Sequence, residues 1–223
     1  MRRVAGALAA VAALLAALAG WPAPSAEAKY LPIFVLERTL KADAVLRGEI
    51  VALDDRAFTL RVDHVVAGGA AQGAEIRIER FVDWTCASRG DEYAVGQELY
   101  VWLAAVTEDV RGGPRKPDAP PWRTLGAGCE GEARLVDGDA YIRFAPGEAA
   151  VALGERVYGA RHPVDDVDAA LAAIRLLFVL DVDARAFSGR RARIATDREP
   201  DVRAGLRSEN GLLRGVCEKA LAR

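Results

Sequence analysis

Ala44-Val-Leu-Arg-Gly-Glu-Ile-Val-Ala-Leu53 runs into the polar turn Asp54-Asp55-Arg56, after which Phe58, Leu60 and Val62 alternate with Thr59, Arg61 and Asp63. A period of two sends successive side chains to opposite faces, the pattern of a half-buried strand, and the charged triplet between the two runs reads as a turn. A glycine-rich loop, Gly68-Gly69 through Gly73, leads to Glu75-Ile-Arg-Ile-Glu79, which alternates again. After an irregular stretch around Cys86, the run Gln97-Glu-Leu-Tyr-Val-Trp-Leu-Ala-Ala105 is apolar in both registers and is expected to be buried on both faces. Residues 107–123 carry Gly112, Gly113, Pro114, Pro117, Pro120 and Pro121 and predict a long surface loop. Glu132 to Val136, the dipeptide Asp137-Gly138 and Asp139 to Phe144 read as a hairpin.

The last third changes period. Val164, Val167, Leu171, Ile174 and Phe178 recur at three and four, predicting an amphipathic helix packed on the sheet, with Pro163, Asp165 and Asp166 suited to its first turn. Arg185 to Glu199 reads as a solvated charged segment, and Leu212, Leu213, Val216, Cys217 and Ala220 as a short final helix. Five or six short antiparallel strands must dispose of their edges, and closure does so economically. The expected fold is mainly β: a small antiparallel OB-like β-barrel with a packed C-terminal helix and a partly helical tail. An immunoglobulin-like sandwich would need more strands and its Cys/Trp signature.

Upstream of the strands the composition is different. Arg2 and Arg3 precede an alanine-rich apolar run from Val4 to Leu18, then Gly20, Pro22 and Pro24, then Ser25-Ala26-Glu27-Ala28. This is the pattern of a secretory signal cleaved before Lys29, the apolar run being short of the roughly 20 residues that span a bilayer. The expected division is a signal peptide at 1–28, an N-terminal segment at 29–41, the OB-like barrel with its helix at 42–180 and a charged, partly helical tail at 181–223. The 223 residues carry 30 basic and 32 acidic side chains, and removing 1–28 makes the balance one unit more negative. That gives no concentrated basic surface for nucleic acid. A hydrophobic content of 52% excludes a disordered chain.

Ala42-Asp-Ala-Val-Leu-Arg-Gly-Glu-Ile-Val51, Thr59-Leu-Arg-Val-Asp-His-Val-Val66 with Gly68 after it, Cys86, Val95-Gly96-Gln-Glu-Leu-Tyr100 and Cys129 occur in that order. Over residues 42–145 this resembles the netrin-like and tissue-inhibitor-of-metalloproteinases group of secreted OB barrels, with its bacterial relatives. The resemblance implies an OB fold and a disulfide between Cys86 and Cys129. It does not carry over metalloproteinase inhibition, which in that group needs an N-terminal cysteine to chelate the target's zinc. Here the mature chain would begin Lys29-Tyr30, and no cysteine precedes Cys86.

Three cysteines allow three pairings and leave one thiol over. A Cys86–Cys129 bridge would contribute about 3–4 kcal/mol by loop entropy. Cys217 is then either a possible intermolecular thiol or a buried residue of the last helix, unless it pairs with Cys129 instead. His64 shares the register of Leu60 and Val62 and is expected to be packed or at the barrel rim. His162, ahead of Pro163, is expected to act as a local helix cap. Acidic pairs such as Asp54-Asp55 and Asp165-Asp166 fit turns and helix starts better than the spacing of a calcium loop. Arg89-Gly90-Asp91 spells an integrin-type tripeptide of little specificity. Trp84, Tyr100, Trp102 and Trp122 either line a stacking groove or fill the core.

The resulting expectation is a secreted or periplasmic, non-catalytic OB-like module, without cofactor, metal or nucleic acid and with no membrane span after signal cleavage. It would bind a protein or cell-surface component. Alternatives are a protease inhibitor acting through a loop such as 107–123, and an adaptor tethered through Cys217.

Overall fold

The computed structural model describes residues 34–83, 88–107, 116–126, 130–143, 145, 151–153, 156–182 and 190–222. The expected signal peptide, Trp84, and both cysteines of the expected Cys86–Cys129 bridge lie outside these residues. Strand β1 (Ala44–Leu53) pairs antiparallel with β2 (Ala57–Ala67) along one edge and with β4 (Glu98–Ala105) along the other. Strand β3 (Glu75–Glu79) pairs with β2, and β5 (Trp122–Thr124) lies between β3 and β4. The order β1-β2-β3-β5-β4 therefore returns to β1 and closes a five-strand barrel, the OB-like arrangement expected. One of its contacts, β3 with β5, is parallel.

The far edge of β4 is shared. Its C-terminal half pairs with β5 and its N-terminal half with β6 (Glu132–Val136), from which the sheet continues through β7 (Asp139–Ile142) and β9 (Arg156–Pro163) to β8 (Val151–Leu153). The sheet thus has nine strands, more than the alternation predicts. The β6–β7 hairpin turns at Asp137 and Gly138, both with positive φ (52° and 82°), the mirror-image turn that matches strand twist.

Among the described residues, four helices complete the fold: α1 (Val35–Lys41), α2 (Val164–Leu177), α3 (Glu199–Gly205) and α4 (Gly211–Leu221). Helices α2 and α4 follow the predicted periodicity. Between α2 and α3, β10 (Phe178–Val182) and β11 (Arg190–Ile194) form a separate ribbon. The stretch expected to be a solvated charged segment therefore holds β11 and the first residue of α3. Nor is the region beyond residue 180 a detached tail, because Val202, Leu212, Val216 and Cys217 share one core with Tyr100 and Trp102. No helix among the described residues is long and apolar enough to cross a membrane.

There are two cores, divided by the barrel wall. Inside the barrel lie Leu46, Ile50, Phe58, Leu60, Val62, Ile78, Leu99, Val101 and Leu103. Outside it, Val45, Tyr100 and Trp102 pack beneath the helices with Leu36, Leu171, Ile174 and Val216. Strand β4 is buried on both faces, as its sequence predicts, because it borders both cores.

Closure depends on a close approach at Gly48. A Cβ built there would lie 2.0 Å from the carbonyl oxygen of Arg61, and backbone cannot yield as a side chain can. The β1–β2 pairing shifts register at Val45/Leu46, Arg47/Gly48 and Ile50/Ala52, and such bulges add the twist that a small barrel needs. Gly48→Ala should destabilise the protein by at least the upper end of the roughly 1–3 kcal/mol cost of overpacking, or prevent folding. Thermal unfolding followed by circular dichroism tests this; a melting temperature equal to the wild type's would contradict the closure argument.

Candidate functional site

The connection between β3 and β4 crosses the barrel end where β1 finishes and β2 starts. Tyr93, buried, stacks on Phe58 with ring centroids 5.0 Å apart and accepts the Phe81 N–H at 3.1 Å, which ties the two legs of the connection together. Its hydroxyl donates to Glu132 Oε1. The other oxygen of Glu132 takes the Arg89 Nε–H at 2.7 Å, and both partners are only 3% exposed. Arg89 also donates to the Asp91 carboxylate at 3.0 Å and to Gln97 Oε1 at 3.0 Å, and its guanidinium lies 3.7 Å above the Tyr93 ring. Asp91 also pairs with Arg134.

Two buried charges are costly to desolvate, so the completeness of their hydrogen bonding is what makes the arrangement stable. Burial works against the Arg89 charge, but Glu132, Tyr93 and Asp91 together outweigh it and hold its pKa above the usual value. Burial, reinforced by Glu132, raises the Tyr93 phenol far above its ordinary range. The tripeptide Arg89-Gly90-Asp91 is therefore internal structure: its arginine is inaccessible and its aspartate is paired twice.

Above this network opens a cleft of about 240 Å³. One wall is Asp55 in the β1–β2 turn, and the others are the two legs of the connection, Arg80 to Asp83 and Arg89 to Tyr93. Val82, at its lip, is 75% exposed. The turn is held by Asp54, which accepts the Arg56 and Ala57 amides and pairs with Arg77 at 2.7 Å. The Arg56 amide, followed by Arg77, keeps its carboxyl below the usual aspartate range.

A second polar group sits outside the barrel, under α2. Arg47, on β1, lies directly opposite both His64 on β2 and Tyr100 on β4, so three strands present these side chains in a row. Asp168 accepts the Tyr100 hydroxyl at 2.7 Å and Arg47 at 2.8 Å, and His64 Nε2 lies 3.6 Å away. His64 therefore does not share the face of Leu60 and Val62. The register shift that pairs Gly48 with Val62 but Arg47 with His64 leaves Asp63 over and flips His64 outward. Burial first, then the bond to Asp168, raises the Tyr100 phenol far above its usual range.

Of the aromatic residues singled out from sequence, Trp84 lies outside the described residues and the other three are held in the fold as follows. Tyr100 and Trp102 are fully buried on the outer face of β4, beneath the helices and not in the barrel. Trp102 donates to Thr39 Oγ1 at 2.9 Å and lies under the Arg38 guanidinium at 4.1 Å, both from α1. Trp122 is not at a loop tip: it belongs to β5, paired with Ile78 and Ala105 and half-buried against the barrel core. Cys217 is free and wholly buried, its thiol pushed up by burial, so exposing it to a partner would require α4 to lift from the core. His162 is buried on β9, and the N-cap residue of α2 is Pro163, without a side-chain cap bond. No group of three or more His, Cys, Asp or Glu among the described residues is placed to hold a metal ion.

The outward face of β2 and β3, which in OB folds carries oligonucleotides, presents Thr59, Arg61, Glu75, Arg77 and Glu79, without an aromatic residue. Its arginines and that of the adjoining turn are paired: Arg61 with Glu49, Arg77 with Asp54, and Arg56 with Asp118. The fold and site together define an OB-like barrel extended by a helix-covered sheet, with a charge-braced cleft at one end. Beyond that class, no family model, curated protein or solved structure matches the chain.

Two predictions follow the packing and the raised phenols. Tyr93 and Tyr100 should stay neutral in a native absorbance titration until the protein unfolds. Because the folded state favours the neutral phenols, their contribution is complete below about pH 10 and is lost above it, at about 1.4 kcal/mol per pH unit for each. All five tyrosines ionising reversibly near pH 10 in the folded protein would refute this. A Cβ on Gly205 would lie 2.6 Å from Cys217 Sγ. Gly205→Ala should therefore destabilise the wild type by about 1–3 kcal/mol and cost much less in a Cys217→Ala background, where a double-mutant cycle reads the coupling.

Proposed function

We propose that the protein is an exported, non-catalytic binding module of the OB-like barrel type, and that its ligand, a protein or surface component, is engaged at the barrel-end cleft. The observation that carries this reading is the cleft: it is open and has an exposed valine at its lip. Its floor is a hydrogen-bonded ionic network that fixes the walls, and a preorganised wall lowers the ordering cost of binding. The resemblance to netrin-like secreted barrels agrees with such a role, as does the leader pattern at 1–28. The face of β2 and β3, whose arginines are already paired and which carries no Phe, Tyr or Trp, speaks for a polypeptide ligand over a nucleic acid. An inhibitory loop at 107–123 would have to act without Trp122, which β5 holds in the barrel wall.

The test is a photo-crosslinking residue placed at Val82 or, as a control, at exposed Arg61, in the full chain expressed in its own host. A discrete adduct from position 82 that is missing from position 61 is expected. No adduct from position 82, or the same products from both, would overturn the assignment of the cleft.

A further inference from the structure

We infer that the cleft accepts a basic side chain, lysine or arginine, presented by an extended polypeptide segment. This rests on the preceding reading of the cleft as the binding site and adds the chemistry of the occupant. Four carboxylates and two guanidinium groups line the space, but most are already engaged. Asp83 accepts the Arg89 backbone N–H at 2.8 Å and the Ser88 hydroxyl at 2.5 Å, and Asp91 is shared by Arg89 and Arg134. Both cations are committed as well. Arg89 is buried in its network, and Arg80 donates to the Asp54 carbonyl at 2.8 Å while lying 5.3 Å from the Tyr93 ring centre.

The carboxylates left without a hydrogen bond or ion pair among the described residues are Asp55 and Glu92, one on each side of the opening, both exposed. Arg80 is bonded to a carbonyl and has no carboxylate partner, but four carboxylates against two guanidinium groups still leave the lining net negative. Arginines already lie against the Tyr93 ring, so a ligand cation would be read by carboxylates and not by stacking. The volume, about 240 Å³, is below the roughly 300–1,000 Å³ of sites for drug-sized molecules and suits one long side chain. Val82 at the lip offers an apolar surface to the methylene stem of such a side chain, whose charged head then reaches the two acids.

Fluorescence anisotropy of the whole protein with two labelled pentapeptides tests this, one with a central arginine beside a valine and the other with glutamate in place of the arginine. The arginine peptide should bind, more weakly as salt is raised, and the glutamate peptide should not. The double substitution Asp55→Asn with Glu92→Gln, both on exposed residues and checked for an unchanged melting temperature, should weaken binding by about fivefold, the worth of two exposed ion pairs. Equal binding of both peptides, no binding of either, or arginine binding indifferent to the double substitution would overturn the inference. The crosslink from position 82 separates the two levels. If it forms in the wild type and persists unchanged in the double variant, the cleft is a binding site without basic selectivity; if it never forms, both readings fall.

Discussion

The fold depends on one strand serving two neighbours at once. Strand β1 pairs with β2 and with β4 over the same residues, Val45 to Glu49, and so joins the two ends of what would otherwise be an open sheet. A five-strand barrel is narrow, and closing it requires the strands to coil sharply where they share a partner. Gly48 sits in the middle of that shared stretch, where the backbone of β2 comes too near for any side chain. The register shifts on either side supply the coil. The same shifts decide which residues face inward, so barrel closure and the make-up of the Asp168 cluster are one event seen from two sides.

Closure also creates a problem that the helices solve. Strand β4 carries Leu99, Val101 and Leu103 on its inner face but Tyr100 and Trp102 on its outer one, and an exposed outer face of that kind would be a large apolar patch. Helices α1, α2 and α4 cover it, helped by the extension of the sheet through β6 and β7. Their docking is specific because polar groups are built into the contact. Trp102 needs a partner for its indole N–H and finds Thr39, while Arg175 of α2 donates to the Thr39 and Ala42 carbonyls at the end of α1. The aromatic side chains of β4 are thereby committed to holding two layers together, which leaves them no surface to offer a ligand.

Much of this was legible in the residues. Period-two runs marked β1 to β3, a run apolar in both registers marked β4, Asp137-Gly138 marked the hairpin, and the three-and-four spacing from Val164 marked α2, because each is a local pattern with a local cause. Helix α1 escaped notice since only Val35, Leu36, Thr39 and Leu40 hint at its face and the buried Arg38 argues against one. Strand β11 looked solvated because its sequence, Arg190-Arg-Ala-Arg-Ile194, is mostly charged. The outward turn of His64 could not be read at all, since a bulge of one residue reverses a face without changing the composition of the strand. The cleft was hidden for another reason: Arg89 meets Glu132 across 43 positions of chain, and nothing near either residue announces the other.

That long-range pair also explains why so much charge is buried beneath a small opening. Apolar side chains of equal volume would cap the barrel at no greater cost, because desolvating an ion pair offsets most of its attraction. What they would not do is fix direction. The Glu132 carboxylate accepts one bond from Tyr93 on one leg of the β3–β4 connection and one from Arg89 further back, and Arg89 in turn reaches Asp91 and Gln97. Each bond has a preferred angle as well as a length, so the leg from Arg89 to Tyr93 is held more tightly than apolar contacts alone would hold it. Through Tyr93 the constraint passes to the Phe81 amide, next to Val82, and through Asp91 to the backbone that carries Glu92. The lip and one of the two unpaired acids are therefore positioned by the hydrogen-bonded network beneath them. A barrel end that served only to exclude water would need no such control over where its rim residues stand.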